Sequence, residues 1–178
     1  MKAALDAAVI IVGAGPAGLM LANELGHRGI STLVFCDRPG TSPYPQANAT
    51  QARTMEFYRR LGFAEKLRVR GLPPDHPTDV AYFTRVTRHE IARLELPPAQ
   101  DAGAMIKLLS GSWSAAELPH RCSQMYIEDV LLEEARQKKS VSLNFNWRVT
   151  RFIDHGDHVE VEAESADGRA KRNATAQY

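Results

Sequence analysis

The stretch that decides the fold runs from Val9 to Gly18 and reads VIIVGAGPAG. Residues 9–12 form an apolar, β-branched run, which predicts a central parallel strand buried on both faces. Gly13 permits a tight turn after this strand, and Gly15 has no Cβ that would keep a pyrophosphate away from the backbone. Amide groups at the start of the next helix bind anions, and Pro16 suits the first turn of that helix. The stretch therefore predicts a dinucleotide site, which is made by Gly13, Gly15, Pro16, Ala17 and Gly18.

The residues that follow complete a βαβ unit. Gly18 lies on the apolar face of the predicted helix, so its missing side chain falls where the helix meets the sheet. That face also holds Leu21, Ala22 and Leu25. A second apolar strand over residues 31–36 ends at Asp37, about 20 positions after Gly18, which is the spacing of the carboxylate that binds a ribose hydroxyl. Because all these parts occur in order, we expect an α/β, Rossmann-like fold.

Composition narrows the class of protein further. The 178 residues are 44% hydrophobic and carry a net charge of +1, so the charge predicts neither a nucleic-acid partner nor a membrane partner. The start of the chain does not resemble a signal peptide, and no apolar run is long enough to span a bilayer. Two cysteines far apart, Cys36 and Cys122, argue against a disulfide framework. We therefore expect a cytoplasmic protein.

The rest of the chain mixes helices with strands. One helix is expected to bury a face that holds Thr54, Phe57, Tyr58 and Leu61 before Gly62 ends it. Residues 80–84 and 91–96 predict a β-hairpin that belongs to a second sheet. Irregular segments are predicted around 111–114 and 118–121, and a third helix opens at Gln124. Four strands then follow, around residues 141–145, 149–153, 159–164 and 174–178, with a turn at 167–168 before the last.

Four motifs carry a resemblance to a known family. They are GAGPAG at 13–18, DRPG at 37–40, ANATQARTMEF at 47–57 running to Leu61-Gly62, and HRCSQ at 120–124. With these motifs the chain resembles the N-terminal part of a class A flavoprotein monooxygenase. The family is that of p-hydroxybenzoate hydroxylase, with its phenol, chlorophenol and 3-(3-hydroxyphenyl)propionate hydroxylase branch. The resemblance implies a glutathione-reductase type FAD-binding fold with an inserted hairpin.

The resemblance also implies a division of the chain and a role for each site residue. Residues 1–78 would form the FAD-binding βαβ segment, 79–118 part of the substrate-domain sheet, and 119–178 an incomplete return to the FAD-binding domain. The glycines of the turn would hold the FAD pyrophosphate, Asp37 the adenosine ribose and Arg38 the adenine side. Arg53 matches the helix arginine of the family, and Gln124 matches a glutamine that approaches the ribityl chain. Gln46 stands where an arginine usually reaches the flavin, which implies one weaker cofactor contact.

The implied activity is hydroxylation of a phenolic or other small aromatic substrate, with NADH or NADPH as electron donor. Because the cofactor supplies most of this chemistry, we assign no catalytic residue and no metal ligand. The family continues past the last strand into an Asp-Gly motif and a substrate domain. We therefore expect a truncated chain that is inactive alone. A complementary C-terminal polypeptide and a homodimer are the partners left open.

Three alternatives stay in view. A nicotinamide dehydrogenase begins with the same fingerprint, but it would normally continue with alternating strands and helices in place of the hairpin. Flavin-dependent halogenases and epoxidases share the start of the fold. A FAD-binding module without activity of its own is the third alternative.

Overall fold

The structure, a computed structural model, describes residues 4–44, 46–109 and 115–178; the irregular segment predicted at 111–114 lies outside them. The chain divides into two compact units, one of Met1–Gln46 with Gln124–Tyr178 and one of Ala47–Ser123. The helices are α1 (Pro16–His27), α2 (Ala52–Arg60), α3 (Ala64–Arg68), α4 (Ala99–Leu109) and α5 (Gln124–Arg136). The strands are β1 (Val9–Val12), β2 (Thr32–Cys36), β3 (Ala49–Thr50), β4 (Val80–Phe83), β5 (Glu90–Leu94), β6 (His120–Arg121), β7 (Val141–Phe145), β8 (Trp147–Asp154), β9 (Val159–Ser165) and β10 (Lys171–Ala176).

The first unit contains a parallel sheet in the order β1-β2-β7. Every residue of β2 is buried, as expected for an apolar strand between two neighbours. The sequence predicted that β1 would be a central strand, buried on both faces. That prediction is wrong within this three-stranded sheet, because β2 is the central strand and Val12 at the end of β1 is 62% exposed. The free side of β1 is met by the last residues of the chain. There the Ile10 N–H donates to the carbonyl oxygen of Tyr178 at 2.8 Å.

Helices α1 and α5 pack against each other in this unit. The buried residues of α1 are Leu19, Ala22 and Asn23. Nδ2 of Asn23 donates to the backbone oxygens of Leu19 at 2.9 Å and Leu131 at 2.8 Å, which ties the two helices together. The predicted apolar face of α1 is therefore only partly right, because Leu21 is exposed.

The remaining strands of the first unit confirm the predicted meander. Strands β8, β9 and β10 form an antiparallel sheet in chain order. Its inner face joins the parallel sheet in one hydrophobic cluster, made by Ala7, Leu33, Phe35, Val161, Ala163 and Ala174. The first unit thus has a continuous apolar core of its own.

The second unit contains the predicted hairpin, in which β4 pairs with β5 in antiparallel fashion. Strands β3 and β6 form a second short pair, with Thr50 opposite His120. In α2 the buried residues are Met55 and Tyr58, whereas Phe57, predicted on the buried face, is exposed. Helices α3 and α4 were not predicted.

The second compact unit begins at Ala47, not near the predicted boundary at 78/79. Two contacts join residues 47–78 to the segment that follows the hairpin in the same unit. Nη2 of Arg68 lies 2.6 Å from Oε2 of Glu117, and Nε2 of His120 lies 3.2 Å from the carbonyl oxygen of Leu67. The division of function among 1–78, 79–118 and 119–178 stays a prediction. In the described part of the chain, no helix is both long and apolar enough to cross a bilayer.

Candidate cofactor site

The glycine turn connects β1 to α1. Gly13 has a φ of +104°, a conformation that glycine adopts readily and other residues rarely do. Its N–H donates to the carbonyl oxygen of Phe35 at 2.7 Å, so the turn is fixed to the end of β2. The turn and the end of the second strand are therefore held side by side, as the sequence predicted.

Gly18 is required by packing. A Cβ at this position would overlap the carbonyl oxygen of Gly13 and would lie 3.3 Å from Cγ2 of Ile11. The first turn of α1 therefore lies directly on the glycine turn, with no room for a side chain between them. This glycine shapes the site from behind and leaves its open side clear.

At Gly15, in contrast to Gly18, there is space for a side chain. Its backbone is extended, with φ −82° and ψ −172°, so other residues could adopt it, and a Cβ there would have nothing within 4 Å. Gly15 is also the N-cap of α1, and no side chain caps this helix. The helix start therefore offers uncapped amide donors beside an open space, which fits the pyrophosphate of a dinucleotide.

Asp37 and Arg38 follow directly after β2. The side chain of Asp37 is exposed, so its carboxylate can accept hydrogen bonds from ribose hydroxyls. The backbone oxygen of Arg38 accepts from the N–H of Asn146 at 3.0 Å, which fixes the chain at this point. The structure places both residues in the same unit as the glycine turn.

Gln46 and Gln124 are brought together in the first unit. Nε2 of Gln124 lies 3.5 Å from Oε1 of Gln46 and donates at 2.8 Å to Oε1 of Glu128. Glu128 is a buried residue of α5 that the sequence reasoning missed. Its burial had a signal, because Glu128 shares a helix face with Leu131, Leu132 and Ala135, at i+3, i+4 and i+7.

Arg53 belongs to the second unit, whereas the other nine candidate residues belong to the first. Its side chain is 77% exposed, and Nη1 lies 2.8 Å from Oε2 of Glu56. Its guanidinium also lies 5.0 Å from the ring centre of Phe57. These contacts are with neighbouring residues of α2, so the contact of Arg53 with a cofactor stays a prediction.

The second unit also holds an apolar cavity of about 380 Å³. Its walls come from the segments around β3, β6 and α4 and from Leu96 and Pro97, which follow the hairpin. The polar groups at its wall include Thr50, His76, Thr78 and Arg121. A cavity of this size with few polar groups suits a small organic molecule. Among the described residues, no group of His, Cys, Asp and Glu could hold a metal ion.

Comparison with known proteins identifies the class. The family described as FAD binding domain matches residues 6–178. The chain is 30% identical over 162 residues, 89% of its length, to FAD-dependent monooxygenase apdD of Emericella nidulans. It is 29% identical over 171 residues, 93% of its length, to para-nitrophenol 4-monooxygenase of Pseudomonas sp. (strain WBC-3). The structure of the rebeccamycin biosynthetic enzyme RebC with reduced flavin matches 99% of the chain with a TM-score of 0.82 at 31% identity.

The chain therefore belongs to the FAD-binding domain family, and both the predicted FAD-binding fold and the resemblance to flavoprotein monooxygenases are confirmed. It spans only part of these relatives, namely 26% of apdD, 38% of para-nitrophenol 4-monooxygenase and 32% of the RebC chain.

Proposed function

We propose that the chain is the N-terminal FAD-binding part of an NADH- or NADPH-dependent monooxygenase that hydroxylates a phenolic or other small aromatic substrate. The observation that carries this proposal is the open space at Gly15, beside an uncapped helix start, in a chain that matches the FAD-binding family over residues 6–178. A cytoplasmic location, expected from the two free cysteines, belongs to the same proposal.

When bound, FAD would pass electrons from the nicotinamide donor to oxygen. The residues of this chain would bind and orient it. The amides at the start of α1 would hold the pyrophosphate, Asp37 would accept from the ribose, and Gln124 would contact the ribityl chain. Gln46 would offer an amide where the family usually offers an arginine.

The cavity of the second unit supports the aromatic part of the proposal. Its lining is mostly apolar, and among the described residues the guanidinium of Arg121 at its wall makes two long contacts, 3.3 Å to Oδ1 of Asn48 and 3.5 Å to the carbonyl oxygen of Thr78. An aromatic ring would be buried by the apolar wall, while a hydroxyl or acidic group could bind the guanidinium.

Exposed apolar side chains of the first unit support a further partner. Val12, Leu21 and Tyr178 are large apolar side chains that the first unit leaves exposed. Exposed apolar surface is typical of an interface. We propose that a C-terminal polypeptide of the same enzyme covers it, and a second copy of the chain is the other occupant to test.

The experiment has two parts. Purified chain mixed with FAD should retain the cofactor through gel filtration, with the blue absorption band of bound flavin. NADH or NADPH is then added under oxygen with a panel of phenols, both to the chain and to a version extended by the coding sequence downstream. The extended protein should consume the donor and form a hydroxylated product, whereas the chain alone should not.

Loss of all flavin from the chain would contradict the FAD assignment. Flavin binding by both proteins with no donor oxidation by either would favour the alternative of a binding module without activity. That alternative rests on a specific observation, since the chain spans only 26% to 38% of the two monooxygenases compared above.

A further inference from the structure

One carboxylate in the first unit lies between two parts of the candidate cofactor site. Glu128 is one helical turn after Gln124 and is only 1% exposed. Oε1 accepts from Nε2 of Gln124 at 2.8 Å, and Oε2 accepts from the backbone N–H of Ser42 at 2.9 Å. Burial of a carboxylate is costly unless hydrogen bonds compensate it, so these two donors are the reason it is tolerated here.

The first contact fixes the orientation of the Gln124 amide. Oε1 of Glu128 accepts this hydrogen bond, so the NH₂ end of the amide faces Glu128. The carbonyl oxygen is then the end that Gln124 presents elsewhere. An oxygen acceptor can bind the O–H donors of a cofactor chain that bears hydroxyls.

The second contact fixes the loop that follows Asp37. The N–H of Ser42 is held by Glu128, and Oγ1 of Thr41 donates to Oδ1 of Asp129 at 2.7 Å. Two consecutive acidic residues of α5 therefore hold two consecutive residues of the loop. Thr41 and Ser42 come four and five positions after Asp37, so these contacts hold the chain that follows Asp37.

We propose that Glu128 is a positioning residue for flavin binding, which orients the Gln124 amide and anchors the loop at Ser42 without contacting the cofactor itself. This role rests on the FAD site of the proposed function. It differs from a general role in stability because it acts through two named partners, each of which belongs to or adjoins that site.

The test compares two buried glutamates of the same helix. Glu128→Gln keeps the size of the side chain but can accept at one end only, so it cannot serve both donors. We expect FAD to bind about tenfold more weakly in a fluorescence titration, the scale of losing a hydrogen bond to a charged group. Glu134→Gln removes the other buried carboxylate of α5 and should bind FAD like the wild-type chain.

A double-mutant cycle separates positioning from general loosening. In the Gln124→Ala background, Glu128→Gln should weaken FAD binding by much less than tenfold, because one of the two partners is already missing. A full further tenfold loss would overturn the role. If Glu128→Gln does not fold by circular dichroism, Glu128→Asp asks the same question with the charge kept and the side chain shortened by one methylene. FAD binding by Glu128→Asp at wild-type strength would also overturn it.

The FAD titration distinguishes failure of the proposed function from failure of the positioning role of Glu128. If the wild-type chain binds no FAD, the proposed function fails and the positioning role falls with it. If the wild-type chain binds FAD and Glu128→Gln behaves like Glu134→Gln, only the positioning role is wrong.

Discussion

Strands β2 and β5 each have five residues, and the two strands differ in burial at every position. All five residues of β2 are buried between two strands, whereas all five residues of β5 are exposed in a two-stranded hairpin. A two-stranded hairpin is marginal without further packing. The first unit therefore derives its stability from an apolar core, while the hairpin contributes surface.

The largest expected effect comes from the same substitution in each strand. Leu33 of β2 is 7% exposed, and Leu94 of β5 is 56% exposed. Leu33→Ala should lower the free energy of unfolding by about 3 kcal/mol because it leaves a cavity in the core. Leu94→Ala should change it by less than about 0.5 kcal/mol. Urea unfolding of both variants measures the difference, and equal losses would break the comparison.

A second pair of variants sharpens the comparison at helical glycines. Gly18→Ala in α1 forces a Cβ onto the carbonyl oxygen of Gly13, which should cost about 2 kcal/mol of stability. Gly103→Ala in α4 has nothing within 4 Å of the new Cβ and should stabilise the helix by up to about 1 kcal/mol. The two free energies of unfolding should change with opposite signs. A gain at both positions would mean that the turn can move away from α1.

The parts of the molecule that could be predicted are those fixed by neighbours in sequence. The glycine turn, α1, β2 and α5 each follow from a local pattern, and so does the meander of β8 to β10. Helix α3 has five residues, too few to show a period, and α4 follows two prolines and contains Gly103, which reads as a loop. The pairing of β3 with β6 joins residues far apart in sequence, so no local pattern could indicate it.

The site divides in the same way. The conformation of the glycine turn and the position of Asp37 after β2 could be predicted from spacing, whereas their contacts with a cofactor stay predictions. The burial of Glu128 had a signal in the helical spacing, but its hydrogen bond with the backbone of Ser42 did not, because only the fold brings the two residues together. The place of β1 in the sheet was misjudged for a related reason. An apolar run predicts burial, but strand order decides which strand lies in the middle.

A smaller effect is expected from pH in the second unit. His120 is buried, and its Nε2 lies 3.2 Å from the carbonyl oxygen of Leu67, so this nitrogen carries the proton. Burial, together with the nearby Arg68, lowers the pKa of His120 below its usual 6.5. The unfolded chain therefore binds more protons once the pH falls below 6.5, and stability present above that pH is lost as it falls.

The check is the free energy of unfolding measured from neutral to mildly acidic pH. His120→Gln should flatten this dependence, whereas His89→Gln, which removes an exposed histidine of the same unit, should retain it. An unchanged slope in His120→Gln would mean that other groups cause the loss.

The most direct test of the central claim is a FAD titration of Gly15→Val. The backbone at Gly15 is extended, so valine can adopt it, and the cost in stability should not exceed about 1 kcal/mol for a poorer helix cap. The new side chain would instead fill the open space beside the helix start. The account predicts that the wild-type chain and the control Gly103→Val bind FAD while Gly15→Val retains none. Equal FAD affinity in the wild-type chain and Gly15→Val would contradict it.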